Sequence, residues 1–121
     1  MLSVHYYDPY DFTLNEDDDL YEWGSAAEQT YMKNQFQKIS AFASGLNMPV
    51  IIGEYGAIDK DNIDSRSLYL RRLNEYANQY NIVTAYWDNG FMGEHGFAIF
   101  NRNTNAVIST SQSLINAIMG K

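Results

Sequence analysis

The sequence lacks cysteine altogether among its 121 residues. Disulfide scaffolds and thiolate-bound metal centres are therefore excluded. Long apolar stretches are absent as well, because no run approaches the roughly 18 residues that a membrane span needs. No basic segment precedes an apolar stretch, so we expect neither a signal peptide nor a membrane partner for this sequence.

Basic residues are scarce: eight Lys and Arg stand against fifteen Asp and Glu, which gives a formal net charge of −7. Such a surface repels a phosphate backbone, so we expect no nucleic-acid partner. The two histidines, His5 and His95, are too far apart to suggest a metal site, and no glycine-rich phosphate loop or serine elbow is present. We therefore expect no metal and no cofactor. Aromatic residues, at 15%, are abundant and suit either a core or a sugar-binding surface.

Strand-like and helix-like segments alternate along the chain. We predict strands at 3–7, 49–56 and 81–88, helices at 25–43, 64–80 and 111–119, and a hairpin of 97–100 with 106–108. This order predicts an α/β fold with parallel strands and right-handed crossovers. The apolar second and third strands indicate burial on both faces. The acidic segment 16–19 is predicted to be a solvated loop.

The sequence also predicts how the helices begin, end and pack. Ser25 and Glu28 have the spacing of a capping box, and Gly45 is a suitable stop for the first helix. Asp64 or Ser65 is expected to cap the second helix. Helical spacing predicts a buried face on the first helix that contains Tyr31, Phe36, Ile39 and Phe42.

Polar and aromatic side chains follow each predicted strand, where parallel α/β folds gather their functional residues. Glu54 comes after a run predicted to be buried, and a carboxylate there is costly unless it is hydrogen-bonded or functional. An exposed or ion-paired Glu just past the strand explains the position equally well. His5 and Tyr7 are two apart, so they point to one side of the first strand. Trp87 is consistent with a stacking platform or with a core residue.

Three segments together resemble family 5 glycoside hydrolases: SVHYYDPYDF at 3–12, PVIIGEYGA at 49–57 and AYWDNG at 85–90. Their order and spacing are similar to those of endo-β-1,4-glucanases, including xyloglucanases. The resemblance implies a (β/α)₈ TIM barrel in which these segments are the sixth, seventh and eighth strands. It also implies an extracellular enzyme that hydrolyses a β-glucan polysaccharide.

The resemblance also implies roles for individual residues. Glu54 would be the nucleophile of a retaining mechanism, with His5 and Tyr7 around it and the Tyr7 hydroxyl bonded to it. Trp87 would stack on the sugar at the non-reducing side of the cleaved bond. Asn89 and Trp23 would contact substrate.

The chain departs from the family in its length and in one motif. A (β/α)₈ barrel needs about 250 residues, so we interpret residues 1–121 as a C-terminal barrel fragment of about three βα units. The acid/base motif Asn-Glu-Pro is absent from the sequence. We therefore expect an inactive isolated chain that pairs with a complementary N-terminal barrel fragment or with itself. The alternative is a non-catalytic, self-assembling α/β module with weak sugar binding; a flavodoxin-like or receiver-like domain fits less well.

Overall fold

Three parallel strands lie side by side in a computed structural model that describes residues 1–17 and 19–121. Their order across the sheet is β1–β2–β3, the same as their order along the chain. The bounds are β1 at Leu2–Tyr6, β2 at Val50–Tyr55 and β3 at Val83–Tyr86. The predicted α/β fold with parallel pairing is confirmed. The third strand is shorter than predicted.

Helices connect and follow the strands. Their bounds are α1 at Tyr10–Thr13, α2 at Ala26–Gly45, α3 at Ile63–Gln79 and α4 at Gln112–Ile118, the last entered through a 3₁₀ turn at Ser109–Ser111. The predicted hairpin is present but short, with β4 at Phe100–Asn101 antiparallel to β5 at Ala106–Val107. The single turn of α1 was not predicted, because four residues show no periodicity.

The start of α2 agrees with the sequence prediction, but its end does not. The Ser25 hydroxyl accepts a bond from the Glu28 N–H, and the Glu28 carboxylate accepts one from the Ser25 N–H over 2.8 Å. Gly45 is the last helical residue rather than the residue beyond the helix. Asn47, with φ of 52°, adopts the left-handed conformation instead. Asparagine tolerates this conformation, so it can take the place of glycine after a helix.

The buried face of α2 differs from the predicted one. Tyr31 and Phe42 are 53% and 61% exposed, so their assignment to the core was wrong. Phe36 is buried as predicted, together with Met32 and Ala43, and Ile39 packs partly buried against the core. Both stripes satisfy helical periodicity, and the broad apolar composition of α2 hides the choice between them.

Helix α3 is joined to the sheet by apolar packing and by one buried amide. Asn74 donates from Nδ2 to the Tyr55 hydroxyl over 3.1 Å, and its Oδ1 accepts from the Thr84 hydroxyl over 2.9 Å. One side chain therefore connects α3 to β2 and β3. Asn62, not Asp64 or Ser65, occupies the N-cap position of α3, and its side chain makes no capping bond to the helix, so the predicted caps were wrong. On the side of α3 that packs on the sheet, Leu70, Leu73 and Ala77 are buried, and Leu68 and Tyr76 are partly buried.

The helices cover one face of the sheet, so the prediction of burial on both faces was wrong for this chain. Val50 and Ile52 point toward the helices and are buried. Val83 points the other way and is 63% exposed. We call this second surface the uncovered face, formed by Ser3, His5, Ile51, Gly53, Glu54, Val83, Ala85 and Trp87.

The acidic loop before α2 is exposed where it can be described. Glu16, Asp17 and Asp19 are exposed, whereas Asp18 lies outside the described residues. Within 1–17 and 19–121, no helix has the length and apolar character that crossing a bilayer requires.

Candidate active site

An irregularity in β2 brings Glu54 to the uncovered face. Ile52 and Tyr55 both point toward the helices although they are three residues apart, which requires an extra residue between them. The register shows it: Val4 pairs with Ile52, but His5 pairs with Glu54. Gly53 is the extra residue, and a Cβ there would lie 3.0 Å from the Ser3 hydroxyl. Without this bulge, alternation would turn Glu54 toward the helices.

The Glu54 carboxylate is held from the neighbouring strand. The Tyr7 hydroxyl donates to its Oε2 over 3.3 Å, and His5 Nδ1 lies 3.4 Å from the same oxygen. The Glu54 side chain is 28% exposed, so it is only partly desolvated. Both contacts use Oε2, and within the described residues no bond is made to Oε1. One oxygen is therefore oriented by two neighbours, while the other makes no bond within the described residues.

The surroundings of Tyr7 raise the pKa of its hydroxyl group. Burial of its ring raises the pKa of the Tyr7 hydroxyl, and the charge and hydrogen bond of Glu54 raise it further. The hydroxyl is therefore a stable donor throughout the neutral range.

Trp87 continues β3 onto the same uncovered face. Its N–H donates to the Tyr55 carbonyl over 2.9 Å, which extends the parallel pairing by one residue. Val83, Ala85 and Trp87 alternate with half-buried residues, so their side chains share a face. The indole is 42% exposed. An aromatic surface thus stands beside Glu54, on the adjoining strand.

Asn89 and Asp88 shape the loop after β3. The Asn89 Oδ1 accepts bonds from the N–H groups of Phe91 and Phe97 over 3.0 and 3.2 Å. The Asp88 carboxylate accepts from the N–H groups of Gly90 and Ile99 over 2.7 and 3.0 Å. The Asp88 oxygens are occupied by the loop, so this carboxylate orders the chain rather than facing the cluster at Glu54.

The structure does not bring Trp23 to Glu54. Its indole is 5% exposed and packs edge-on against Tyr69, with ring centroids 5.1 Å apart. In this arrangement Trp23 is a core residue with no free face for a sugar ring. The sequence alone did not reveal this, because the burial of a tryptophan in a loop depends on contacts with distant segments such as α3.

Sequence reasoning overlooked two buried residues that support the strand ends. Arg66, 3% exposed, donates from Nε to the Ala57 carbonyl over 3.2 Å, and its Nη1 lies 3.2 Å from Asp59 Oδ1. It therefore fixes the segment after Glu54. Phe97, 5% exposed, packs edge-on against Tyr7. The glycines at 56 and 96 were the available signal, since each marks a close approach.

In chemical terms, the cluster offers one oriented carboxylate, two hydrogen-bonding neighbours and an aromatic surface on a single open face. In residues 1–17 and 19–121, no group of His, Asp and Glu side chains is placed to hold a metal ion. The features fit nucleophilic or electrostatic chemistry at a carbon centre of a ring that stacks on Trp87.

Comparison with known proteins identifies similar sequences. The family model described as "Cellulase (glycosyl hydrolase family 5)" matches residues 1–93. Endoglucanase A of Paenibacillus barcinonensis is 40% identical over 134 residues, covering 98% of this chain and 33% of that protein. A xyloglucan-specific endo-β-1,4-glucanase of Bacteroides ovatus is 34% identical, covering 85% of this chain and 24% of that protein. The chain spans a third or less of the length of these relatives.

Solved structures give the same result for the fold. A family 5 xyloglucanase from Paenibacillus pabuli superposes with a TM-score of 0.89 at 36% identity, over 99% of this chain and 37% of that one. A broad-specificity endoglucanase from Ruminococcus champanellensis with bound cellotriose superposes with a TM-score of 0.84 at 29% identity. The match covers 97% of this chain and 33% of that one. The three strands thus correspond to part of a TIM barrel, as the sequence predicted.

Proposed function

The chain belongs to glycosyl hydrolase family 5, and from that premise we propose that it carries the nucleophile half of a retaining endo-β-1,4-glucanase. One observation carries the proposal: the Glu54 carboxylate stands at the carboxyl end of β2 on the uncovered face, with Tyr7 and His5 on its Oε2. A carboxylate held at a strand end in this way is suited to attack a bound sugar.

The proposed reaction has two steps. Oε1 of Glu54 attacks the anomeric carbon, the bond to the leaving oxygen breaks, and a general acid donates a proton to that oxygen. Water then attacks the glycosyl-enzyme, loses a proton to the same acid/base and releases the sugar with its configuration retained. Tyr7 and His5, through Oε2, keep Oε1 directed at the ring. When water displaces Glu54 from the anomeric carbon, the electron pair of the ester bond returns to the carboxylate, and the bond donated by Tyr7 stabilises the charge that reappears there.

The general acid is proposed to lie outside this chain. A retaining enzyme places its two carboxyl groups about 5–5.5 Å apart. Asp88 is occupied by backbone N–H groups, and Glu94 is 84% exposed beside His95 in a loop. Neither provides a second carboxyl group for the Glu54 cluster. We therefore propose that the isolated chain is inactive, or nearly so.

The partner that would complete the site is proposed to be the remaining βα units of a barrel. Both edge strands of the three-stranded sheet, β1 and β3, have one unpaired side among the described residues. The uncovered face carries the reactive carboxylate together with apolar side chains such as Val83. A partner that supplies further parallel strands would pair the edges and enclose this face.

The proposed substrate is a β-1,4-linked glucan, and the similarity to an endoglucanase and to a xyloglucan-specific endo-β-1,4-glucanase supports this proposal. Trp87, through its exposed indole, would stack on the sugar at the non-reducing side of the cleaved bond. The amide nitrogen of Asn89, which donates no hydrogen bond among residues 1–17 and 19–121, is a further candidate contact. We propose an extracellular site of action, because a polysaccharide of this kind is too large to enter a cell before it is cut.

A direct test uses the chain assembled with the N-terminal two thirds of a family 5 relative. Glu54→Gln should lower hydrolysis of an aryl cellobioside by at least about a thousandfold, because the attacking oxygen becomes an amide. Glu75→Gln, an exposed change of the same chemistry, should leave turnover unchanged. Near-normal hydrolysis by the Glu54 variant would contradict the assignment.

A non-catalytic, self-assembling fragment is the second candidate function. It is favoured by the 63% exposure of Val83, an apolar residue at the start of β3 on the uncovered face. If the assembled barrel hydrolysed no glucan while the isolated chain formed stable oligomers, this alternative would be the better account.

A further inference from the structure

Tyr7 has no place in the strand ladder that could fix its ring. β1 ends at Tyr6, so Tyr7 lies just beyond the sheet. Its hydroxyl nevertheless reaches Glu54 Oε2 over 3.3 Å. A side chain at a strand end needs a packing partner to hold such a contact, since free rotation about its bonds would break it.

Phe97 supplies that packing. Its ring meets the Tyr7 ring edge-on, with centroids 6.2 Å apart and planes at 76°. This is a favoured geometry for two aromatic rings. Phe97 is 5% exposed although it lies in a loop between β3 and β4. Burial of its ring therefore holds this part of the loop against the protein interior.

The backbone of Phe97 is fixed on both sides. Its N–H donates to Asn89 Oδ1 over 3.2 Å, and its carbonyl accepts from the Tyr86 hydroxyl over 2.8 Å. Both partners come from the end of β3 or just beyond it. The position of the ring is therefore set by the third strand, whereas Tyr7 follows the first.

The Phe97 ring also packs against Gly56, the residue that directly follows β2. A Cβ at Gly56 would lie 2.8 Å from Phe97 Cδ1 and 3.5 Å from Tyr86 Cε2. Gly56 is two residues after Glu54, and its lack of a side chain leaves room for the ring. Phe97 thus contacts the chain after β1 and after β2 while it is anchored to β3.

We propose that Phe97 is a positioning residue that holds the Tyr7 hydroxyl on Glu54 and so orients the attacking carboxylate. This inference rests on the proposed function. Within the described residues no hydrogen bond joins Phe97 to the Glu54 carboxylate, and its ring packs against Tyr7, so Phe97 acts through Tyr7. Loss of the ring should affect the rate of the chemical step more than the binding of substrate.

The first arm of the test uses the full chain and needs no activity. Tyrosine rings are labelled with ¹³C, and the Tyr7 signal is assigned by its loss in Tyr7→Phe. In Phe97→Leu, which keeps an apolar side chain, the Tyr7 signal should shift and begin to titrate at lower pH, within the range where the chain is still folded, because the burial that raises the pKa of Tyr7 is reduced. Phe100→Leu, at a 44% exposed position in the same segment, should leave it in place.

The second arm uses the assembled barrel. Phe97→Leu should lower kcat about tenfold, the equivalent of one aromatic contact, with KM changed less than about twofold. In a Tyr7→Phe background the same substitution should have no further effect on kcat, because the group that it positions is already gone. Tyr86→Phe, which removes the bond to the Phe97 carbonyl, should give a smaller effect of the same kind.

Two results would overturn the proposal. One is a Tyr7 signal in Phe97→Leu that titrates as it does in Phe100→Leu. The other is a double variant, Tyr7→Phe with Phe97→Leu, whose loss of kcat equals the product of the two single losses instead of the loss caused by Tyr7→Phe alone. An assembled barrel that never hydrolyses glucan would instead count against the proposed function, while the titration arm would still decide the role of Phe97.

Discussion

The Tyr7 hydroxyl donates a hydrogen bond to Glu54 Oε2 across 47 positions of sequence. The bond joins the exits of two neighbouring parallel strands, and the bulge at Gly53 is what makes it possible. A carboxylate that would otherwise face the helices is turned to the open face, where a phenol and an imidazole meet it. The local irregularity of β2 is therefore the feature that creates the site.

Removing the Tyr7 hydroxyl tests this contact. We expect Tyr7→Phe to lower kcat of the assembled barrel about tenfold, since a hydrogen bond to a charged group contributes on the order of 1.5–3 kcal/mol and this one is partly solvated. The phenyl ring keeps its contact with Phe97, so the melting temperature should hardly change. Tyr10→Phe, at a 59% exposed position, is the control. Equal rates for both variants would show that the contact does not matter.

Gly56 offers a second test through packing. Gly56→Ala places a Cβ 2.8 Å from the Phe97 ring, so the ring must shift, and we expect a loss of about 1–3 kcal/mol in unfolding free energy. Gly45→Ala meets no atom within 4 Å at the end of α2 and should be neutral or slightly stabilising. Chemical denaturation of the two variants compares them. A fully stable Gly56→Ala chain would mean that Phe97 is not held where it lies.

Several buried tyrosines make the chain sensitive to alkali. Burial raises the pKa of Tyr86 to about 12, against the opposing effect of Arg66, and it also raises the pKa of Tyr6, Tyr7 and Tyr69. An unfolded tyrosine ionises near pH 10. Above that pH the unfolded chain releases protons that the folded chain retains, so this contribution is complete below pH 10 and is lost as the pH rises.

We therefore expect cooperative unfolding as the pH rises from about 10 to 12, with phenolate absorbance and loss of circular dichroism coinciding. Each tyrosine that stays protonated in the folded chain but is ionised in the unfolded chain lowers the free energy of unfolding by about 1.4 kcal/mol per pH unit. Tyr86→Phe should remove one such increment from the slope. If most tyrosines ionised while the circular dichroism stayed unchanged, the account of their burial would be wrong.

The uncovered face leads to a prediction about assembly. Val83, Ile51 and Ala85 leave apolar surface open beside two unpaired strand edges, and burial contributes about 25 cal/mol per Å². An interface of about 1,200 Å² is then enough for association. Sedimentation equilibrium of the isolated chain should show oligomers, and Val83→Lys should weaken them. A single species near 13.9 kDa with sharp thermal unfolding would contradict this expectation.

The strand ends were predictable from sequence because alternation of strands and helices fixes which residues meet at one edge of a sheet. Glu54, His5 and Tyr7 were singled out on that ground, and the structure brings them together. The bulge was not predicted, since an apolar run with no alternation conceals a change of register. Only Gly53, placed between Ile52 and Glu54, carried a sign of it.

The residues behind the site were harder to predict. Phe97 was expected to begin a hairpin strand, yet the hairpin starts at Phe100, and Phe97 is drawn inward by bonds to Asn89 and Tyr86. Trp23 was expected at the substrate and lies in the core instead. Both outcomes depend on tertiary contacts between distant segments, which local periodicity does not contain.

The most direct measurement of the central claim is covalent trapping on the assembled barrel. An activated fluoro-cellobioside with a dinitrophenolate leaving group forms the glycosyl-enzyme without assistance from an acid, and slow hydrolysis allows the adduct to accumulate. Peptide mapping by mass spectrometry then locates the sugar. We predict one adduct per barrel, on Glu54, and none in Glu54→Gln. An adduct on Asp88, Glu94 or a residue of the partner fragment would contradict the assignment of Glu54 as the nucleophile.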